Sequence, residues 1–182
     1  MASSASDMTF LALDPATVTG WCIGSPMSTP RLGTLDLTKA REIRRGYAFE
    51  MFRRWLLRTF KEREITHVIF ESPVLMKFSN INMTRIAQGL DAHIEAAVEV
   101  WNDDNYRSIS LTEATPGQIK KALTGKGNAK KAAMIAAAMA RGMSPENDNE
   151  ADAFGAWLCL LAELAPDEVA RFDPINFGKL TT

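Results

Sequence analysis

Thr9-Phe10-Leu11-Ala12-Leu13-Asp14-Pro15, followed after a short turn by Thr19-Gly20-Trp21, is the stretch on which the reading of the fold turns. The run is apolar through Leu13, ends on a carboxylate and meets a proline, so Thr9 to Leu13 reads as a buried strand with an acid at its carboxyl end. Trp21 to Ile23 and Arg31 to Leu37 are two further short apolar runs, set apart by clusters of Pro, Gly, Ser and Thr. The three together read as an antiparallel meander filling the first fifth of the chain.

Beyond the meander the period changes. Lys39 to Arg63 places Ile43, Tyr47, Met51, Trp55 and Leu56 at helical spacing with arginines opposite, which predicts one long amphipathic helix. His67 to Phe70 is a short β-branched and aromatic run stopped by Glu71, Ser72 and Pro73, as expected of a buried parallel strand opening onto a loop. Thr84 to Trp101 reads as helix and Ser108 to Leu111 as strand. Pro116 to Leu123 and Asn128 to Arg141 read as helices split by Thr124-Gly125-Lys126-Gly127. Asp148 to Leu164 reads as the last helix, with Pro166 to Thr182 a loosely packed tail. Three antiparallel strands followed by alternating helix and strand predict an α/β layer: a mixed five-stranded sheet flanked by helices. With no repeat and no low-complexity linker, one domain over residues 1–182 is expected, ragged at about 1–7 and 175–182.

Composition agrees. In 182 residues, 46% are hydrophobic and 24% charged, enough to bury a real core and far from disordered or fibrous chains. Met1 to Asp7 carries no Lys or Arg and no apolar run follows, so no signal peptide is expected. The longest apolar stretch, Ala132 to Ala140, is too short to span a bilayer, so no membrane association is expected and a cytoplasmic setting is. Cys22 and Cys159 lack motif spacing and read as buried free thiols. His67 and His93, the two histidines, read as packing or surface residues; neither a zinc site nor a Ser-His-Asp triad finds support.

Three clusters of oxygen-bearing side chains stand at element ends. Asp14 and Glu71 each close an apolar strand, where a carboxylate costs free energy unless paired. Each alone could be a solvated strand-end acid. Glu146-Asn147-Asp148-Asn149-Glu150-Ala151-Asp152 opens the last helix, where acids also suit the helix dipole, and it sets Asp148, Asn149 and Asp152 within one turn. Acids at neighbouring strand ends repel unless a cation lies between them, so three such clusters together suggest an all-oxygen site for Mg²⁺ or Mn²⁺. Between Glu113 and Glu146 lie Lys120, Lys121, Lys126, Lys130, Lys131 and Arg141 with no acid among them, an anion-facing surface. Gly125 and Gly127 would present backbone amides to a phosphate, although the frame is not that of a Walker loop. The simpler reading is a glycine helix cap followed by a solvated helix. An acidic metal focus beside a basic rim is the charge arrangement of a phosphodiester hydrolase using two ions.

At this point the sequence resembles the RuvC-type Holliday junction resolvases of the RNase H-like superfamily, over about residues 8–160. The resemblance rests on Leu13-Asp14-Pro15 with Thr19-Gly20-Trp21, on Phe70-Glu71-Ser72-Pro73, on Ile119-Lys120 through Thr124-Gly125-Lys126-Gly127-Asn128-Ala129-Lys130-Lys131, and on Glu150-Ala151-Asp152-Ala153. It implies an RNase H-like fold, a homodimer, two divalent ions and paired nicks across a four-way DNA junction. Asp14, Glu71 and Asp152 match the family's metal-binding acids, and Lys120 and Lys131 its DNA-contacting lysines. The family carries Asp or His three residues before its last acid, where this chain has Asn149, so the fourth ligand is Asp148 or Asn149, with Asp148 favoured for its charge. The family's aromatic wedge after the second acid is replaced by Val74-Leu75-Met76, with Phe78 a little later. The compact form and the Asn-Glu-Ala-Asp variant look more like phage members, which sets the protein in a bacterial or infected-host cytosol. Dimerisation is expected through the helix at about 84–100, where Ala87, Gly89, Ala92, Ala96 and Ala97 are small.

Three rival readings share some of these residues. A sugar-kinase-type phosphotransferase also opens with a strand, an Asp and a Thr-Gly turn, but needs two such domains. A non-catalytic junction-binding module would keep the lysines without the three acids. A less selective branched-DNA nuclease shares them all.

Overall fold

The computed structural model describes residues 5–72, 81–105 and 108–174. After a 3-10 turn at Ala5–Asp7 come strands β1 (Phe10–Asp14), β2 (Val18–Gly24) and β3 (Arg31–Asp36). Helices α1 (Thr38–Ile43) and α2 (Arg45–Arg63) lead to β4 (His67–Glu71), and α3 (Ile81–Asp104) leads to β5 (Ser110–Ala114). The chain then forms α4 (Pro116–Thr124), α5 (Lys131–Met139) and α6 (Asp148–Leu164) and closes with a 3-10 segment, Pro166–Phe172.

The sheet order is β3-β2-β1-β4-β5. β1 pairs antiparallel with β2 and β2 with β3, whereas β1 and β4, and β4 and β5, run parallel. This is the mixed five-stranded architecture the sequence predicts. β1 lies at its centre, and Phe10 to Leu13 are wholly buried because both sheet faces are covered. The two-residue strand period divides them: Phe10 and Ala12 pack with α4, α5 and α6, while Leu11 and Leu13 pack with the helices preceding β5.

Several elements depart from expectation. The long helix is two, because Arg44 is extended (φ −163°, ψ 139°) between α1 and α2. Its buried face is also different: Ala48, Phe52, Leu56 and Phe60 recur every four residues and face inward, leaving Ile43, Tyr47 and Met51 exposed. Phe52 and Phe60 give that inward face two large aromatic rings to bury. α5 starts at Lys131, three residues later than expected, after a turn. The tail is not loose through Phe172, whose ring is buried with centroids 5.1 Å from Trp157 and 6.2 Å from Phe154. β5 lies two residues later than predicted.

The small residues of α3 divide between two tasks. A Cβ on Gly89 would lie 2.2 Å from Phe49 Cζ, so Gly89 is where α2 crosses α3 within the chain, and Ala97 is buried. Ala92 and Ala96 remain exposed. His93 stacks on Phe49 with centroids 4.9 Å apart, and its Nδ1 lies 2.6 Å from the Gly89 carbonyl oxygen; His67 sits edge-on to Phe10. Cys22 is buried and Cys159 half-buried, and burial raises both thiols, Cys159 to about 11, so neither is a thiolate at neutral pH. Among the described residues no helix is long and apolar enough to cross a membrane.

Candidate active site

Asp14 and Glu71 come together because their strands are parallel neighbours in register. Leu13 lies beside Phe70, so the next residue of each strand leaves the sheet at the same end. Counting by twos from Ala12 and Ile69 puts both carboxyls on the α6 face.

α6 is held over that end by its first turn. Asn147 caps it, its Oδ1 accepting from the Glu150 N–H at 3.0 Å, and Glu150 reaches back to accept from the Glu146 N–H at 2.8 Å. Glu150 is thereby buried as part of the cap. Asn149 Nδ2 donates to the Val18 carbonyl at 2.6 Å, tying the turn to the start of β2. Gly20 completes the fit, since a Cβ there would come within 2.1 Å of the Asn149 carbonyl oxygen; only glycine allows so close an approach of the two backbones. Thr19, fully buried, closes the preceding turn by donating to the Ala16 carbonyl at 2.6 Å. The Thr19-Gly20 pair therefore sets the height of α6 above Asp14. Reading the residues one by one missed Gly20 and Glu150, though Asn147 with Glu150 three residues on is a legible capping pattern.

The electrostatics of the site follow from this convergence. Burial raises the Asp14 carboxyl well above the usual range, and Glu71, Asp152 and Asp148 raise it further, against Lys131. Burial and then Asp152 push Glu71 up to about 7, opposed by Lys120. Asp152 is raised by burial, which Lys120 and Lys131 partly offset. Asp148 is lowered, because Lys131 Nζ from the start of α5 pairs with its Oδ2. Asp14, Glu71, Asp148, Asp152, Lys120 and Lys131 thus share one field, with Asn149 beside them as a clamp to β2.

Lys121, Lys126 and Lys130 are exposed and stand outside this exchange. The glycine turn is not an open amide cradle: the Gly125 N–H donates to the Lys121 carbonyl at 2.8 Å and the Lys126 N–H to Thr124 Oγ1 at 3.1 Å. Gly125, at φ 78°, ends α4 as a left-handed cap, the simpler of the two sequence readings. Val74, Leu75, Met76 and Phe78, considered for a wedge, lie outside the described residues.

A divalent cation suits this donor set. Among the described residues Asp152 Oδ1 is buried without a hydrogen-bond partner, and the metal-binding candidates around it all offer oxygens, as hard cations require. Among the described residues no three His, Cys, Asp or Glu side chains already stand at ion-holding spacing.

No protein-family model matches the sequence, nor does any curated protein. Solved structures do match. Thermus thermophilus RuvC superposes with a TM-score of 0.62 at 18% identity, over 86% of this chain and 96% of that one. The same protein in complex with Holliday junction substrate gives 0.66 at 16% identity, over 90% and 97%. The yeast mitochondrial Holliday junction resolvase Ydc2 gives 0.55 at 12% identity, over 97% and 85%. The chain has the RNase H-like fold. Within that class its architecture is that of the RuvC-type resolvases, as the motifs in the sequence imply.

Proposed function

We propose that this chain is a divalent-metal-dependent endonuclease that resolves four-way DNA junctions by paired phosphodiester hydrolysis. One observation carries the reading: acids from β1, β4 and α6 converge at one end of a RuvC-type sheet, with Lys120 and Lys131 beside them. The T. thermophilus relative, solved with a Holliday junction, supports the choice of substrate.

Asp14, Glu71, Asp152 and Asp148 would hold Mg²⁺ or Mn²⁺, two ions per site, with Asn149 a neutral neighbour. When bound, the metal supplies an activated water and neutralises the leaving oxygen. The chain's own part is to gather and orient. β1 and β4 present two carboxyls side by side; the Gly20 contact and the Asn149 clamp fix the third and fourth above them. Lys120 and Lys131 draw in the phosphate and fix its register without reading bases. Lys121, Lys126 and Lys130 extend this cationic track along the DNA. A homodimer through the exposed side of α3, around Ala92 and Ala96, would place two such sites on one junction.

The test is purified protein with Mg²⁺ on labelled four-way, three-way, flap and linear duplex DNA. Paired nicks on the four-way junction are expected. Equal cleavage of every branched substrate would mean a less selective nuclease, and binding without cleavage a junction-binding module. A monomeric mass in solution at micromolar concentration would overturn the dimer.

A further inference from the structure

A cavity of about 450 Å³ that the catalytic reading does not use runs along β2 from Trp21, the cross-strand partner of Leu13, to Gly24. Thr9, just before β1 and five residues before Asp14, lines its far end. It is lined by aromatic Trp21, aliphatic Ile23, basic Arg31 and Arg63, and the hydroxyl-bearing Ser28 and Thr29. No Asp or Glu is among the described residues that line it, whereas the neighbouring cavity at this end is lined by Asp7 and Glu64.

Trp21 is held in place. A Cβ on Gly33, its cross-strand neighbour, would come within 2.2 Å of the Trp21 ring, so the indole lies against bare backbone of β3 as a rigid wall. The hairpin loop bearing the hydroxyls is tied too: the Ser28 N–H donates to the Ser25 carbonyl at 3.1 Å and the Met27 N–H to Ser25 Oγ at 3.2 Å. Arg31 opens β3 and Arg63 belongs to the last turn of α2, so two separate elements each bring a cationic residue to the lining of one cavity. Two guanidinium groups lining one cavity, with no carboxylate among its described lining residues, suit a dianionic phosphate, which accepts their forked hydrogen bonds. An aromatic wall beside a phosphate subsite matches a base joined to a phosphate, and the volume falls within the usual range for small ligands.

We propose that this cavity binds a phosphorylated nucleotide, its base against Trp21 and Ile23 and its phosphate on Arg31 and Arg63. The ligand is either a free nucleotide or the phosphorylated end of a DNA strand, and the site stands whether or not the resolvase reading holds.

The test is calorimetry on the full-length protein in EDTA with thymidine 5′-monophosphate, thymidine, inorganic phosphate and a 5′-phosphorylated oligothymidylate. The monophosphate is expected to bind saturably, and thymidine and phosphate each about tenfold more weakly or worse. Arg31→Gln and Arg63→Gln should each weaken the monophosphate about tenfold without moving the thermal midpoint, since both side chains are exposed. Oligothymidylate that competes with the monophosphate and loses affinity in both variants identifies a strand end; oligothymidylate indifferent to both variants identifies the free nucleotide. The proposal fails if neither the monophosphate nor the oligonucleotide binds, if phosphate alone binds as well as the monophosphate, or if both variants bind the monophosphate like the parent.

Discussion

Asp152 on α6 and Asp91 on α3 make a natural pair, packed against opposite faces of the same sheet, each with one buried carboxylate oxygen that has no hydrogen-bond partner. Burial raises both. They differ in what charges they feel. Asp152 feels Lys120 and Lys131 as well as Asp148. Asp91 feels only acids, Glu113 and Glu95, and is pushed up to about 7. An orphaned buried carboxyl therefore does not by itself mark an active site. What marks one is an orphan among other acids and beside cations that can hold the anion those acids would repel. Asp91 meets the cost of burial by holding its proton up to about pH 7.

The sharpest way to break this contrast is by paired substitution. Asp152→Asn, like Asp14→Asn or Glu71→Gln, is expected to lower junction cleavage about a thousandfold or more while leaving binding largely intact. Asp91→Asn should leave cleavage near the parent rate. Comparable loss in Asp91→Asn, measured on the same labelled junction, would erase the distinction.

Gly20→Ala probes the scaffold beneath Asp152. Its Cβ would strike the Asn149 backbone, which cannot move aside like a side-chain tip, so a loss of about 1–3 kcal/mol in a denaturant titration is expected, with cleavage falling further than stability explains. Parental activity would mean that the height of α6 does not govern the site.

The cations that separate the two regions can be tested directly. Lys120→Ala and Lys131→Ala should each weaken junction binding on every sequence and lower the salt slope by about one unit, measured by titration at several ionic strengths. Unchanged slopes in both would remove the phosphate track.

Asp148 and Asn149 then divide the fourth position. Because Asn149 Nδ2 is engaged with β2 and Asp148 carries the charge facing Lys131, Asp148→Ala is expected to lose about tenfold or more of its Mg²⁺-dependent rate. Asn149→Ala should act mainly through stability. Near-parental activity of Asp148→Ala in Mg²⁺ would return the role to Asn149.

The smallest effect is in pH. Glu71 and Asp91 hold protons up to about 7 when folded but release them near 4 when unfolded. Between those values the folded state binds more protons, so the stability they contribute is full below about pH 4 and is lost as pH rises through about 7. The metal-free Tm should fall by a few degrees between about pH 5.5 and 8.5. Mg²⁺ should restore the share due to Glu71 and to its raised neighbours Asp14 and Asp152, and Asp91→Asn should remove the share due to Asp91. A Tm that rises over this range would contradict both assignments.

Much of this could be read from the chain alone. The strand ending in Asp14, the second ending in Glu71 and the helix bearing Asp152 follow from local pattern, because an apolar run with period two or 3.6 declares its element and its polar end declares where it stops. The same locality explains the errors. Between Ile43, Tyr47, Met51 and Ala48, Phe52, Leu56, Phe60, both stripes have helical spacing, and only the partner surface, with the break at Arg44, chooses which turns inward. Gly89 reads equally well as a contact between chains or within one, and Phe49 decides it. The sequence by itself determined the elements, their order and the carboxyl and lysine groups available. The tertiary structure alone decided that Gly20 admits α6, that Asp14, Glu71 and Asp152 share one field while Asp91 stands apart, and that Lys131 faces Asp148. Those are matters of distance between residues far apart along the chain, and such distances are set by packing, on which local propensity is silent.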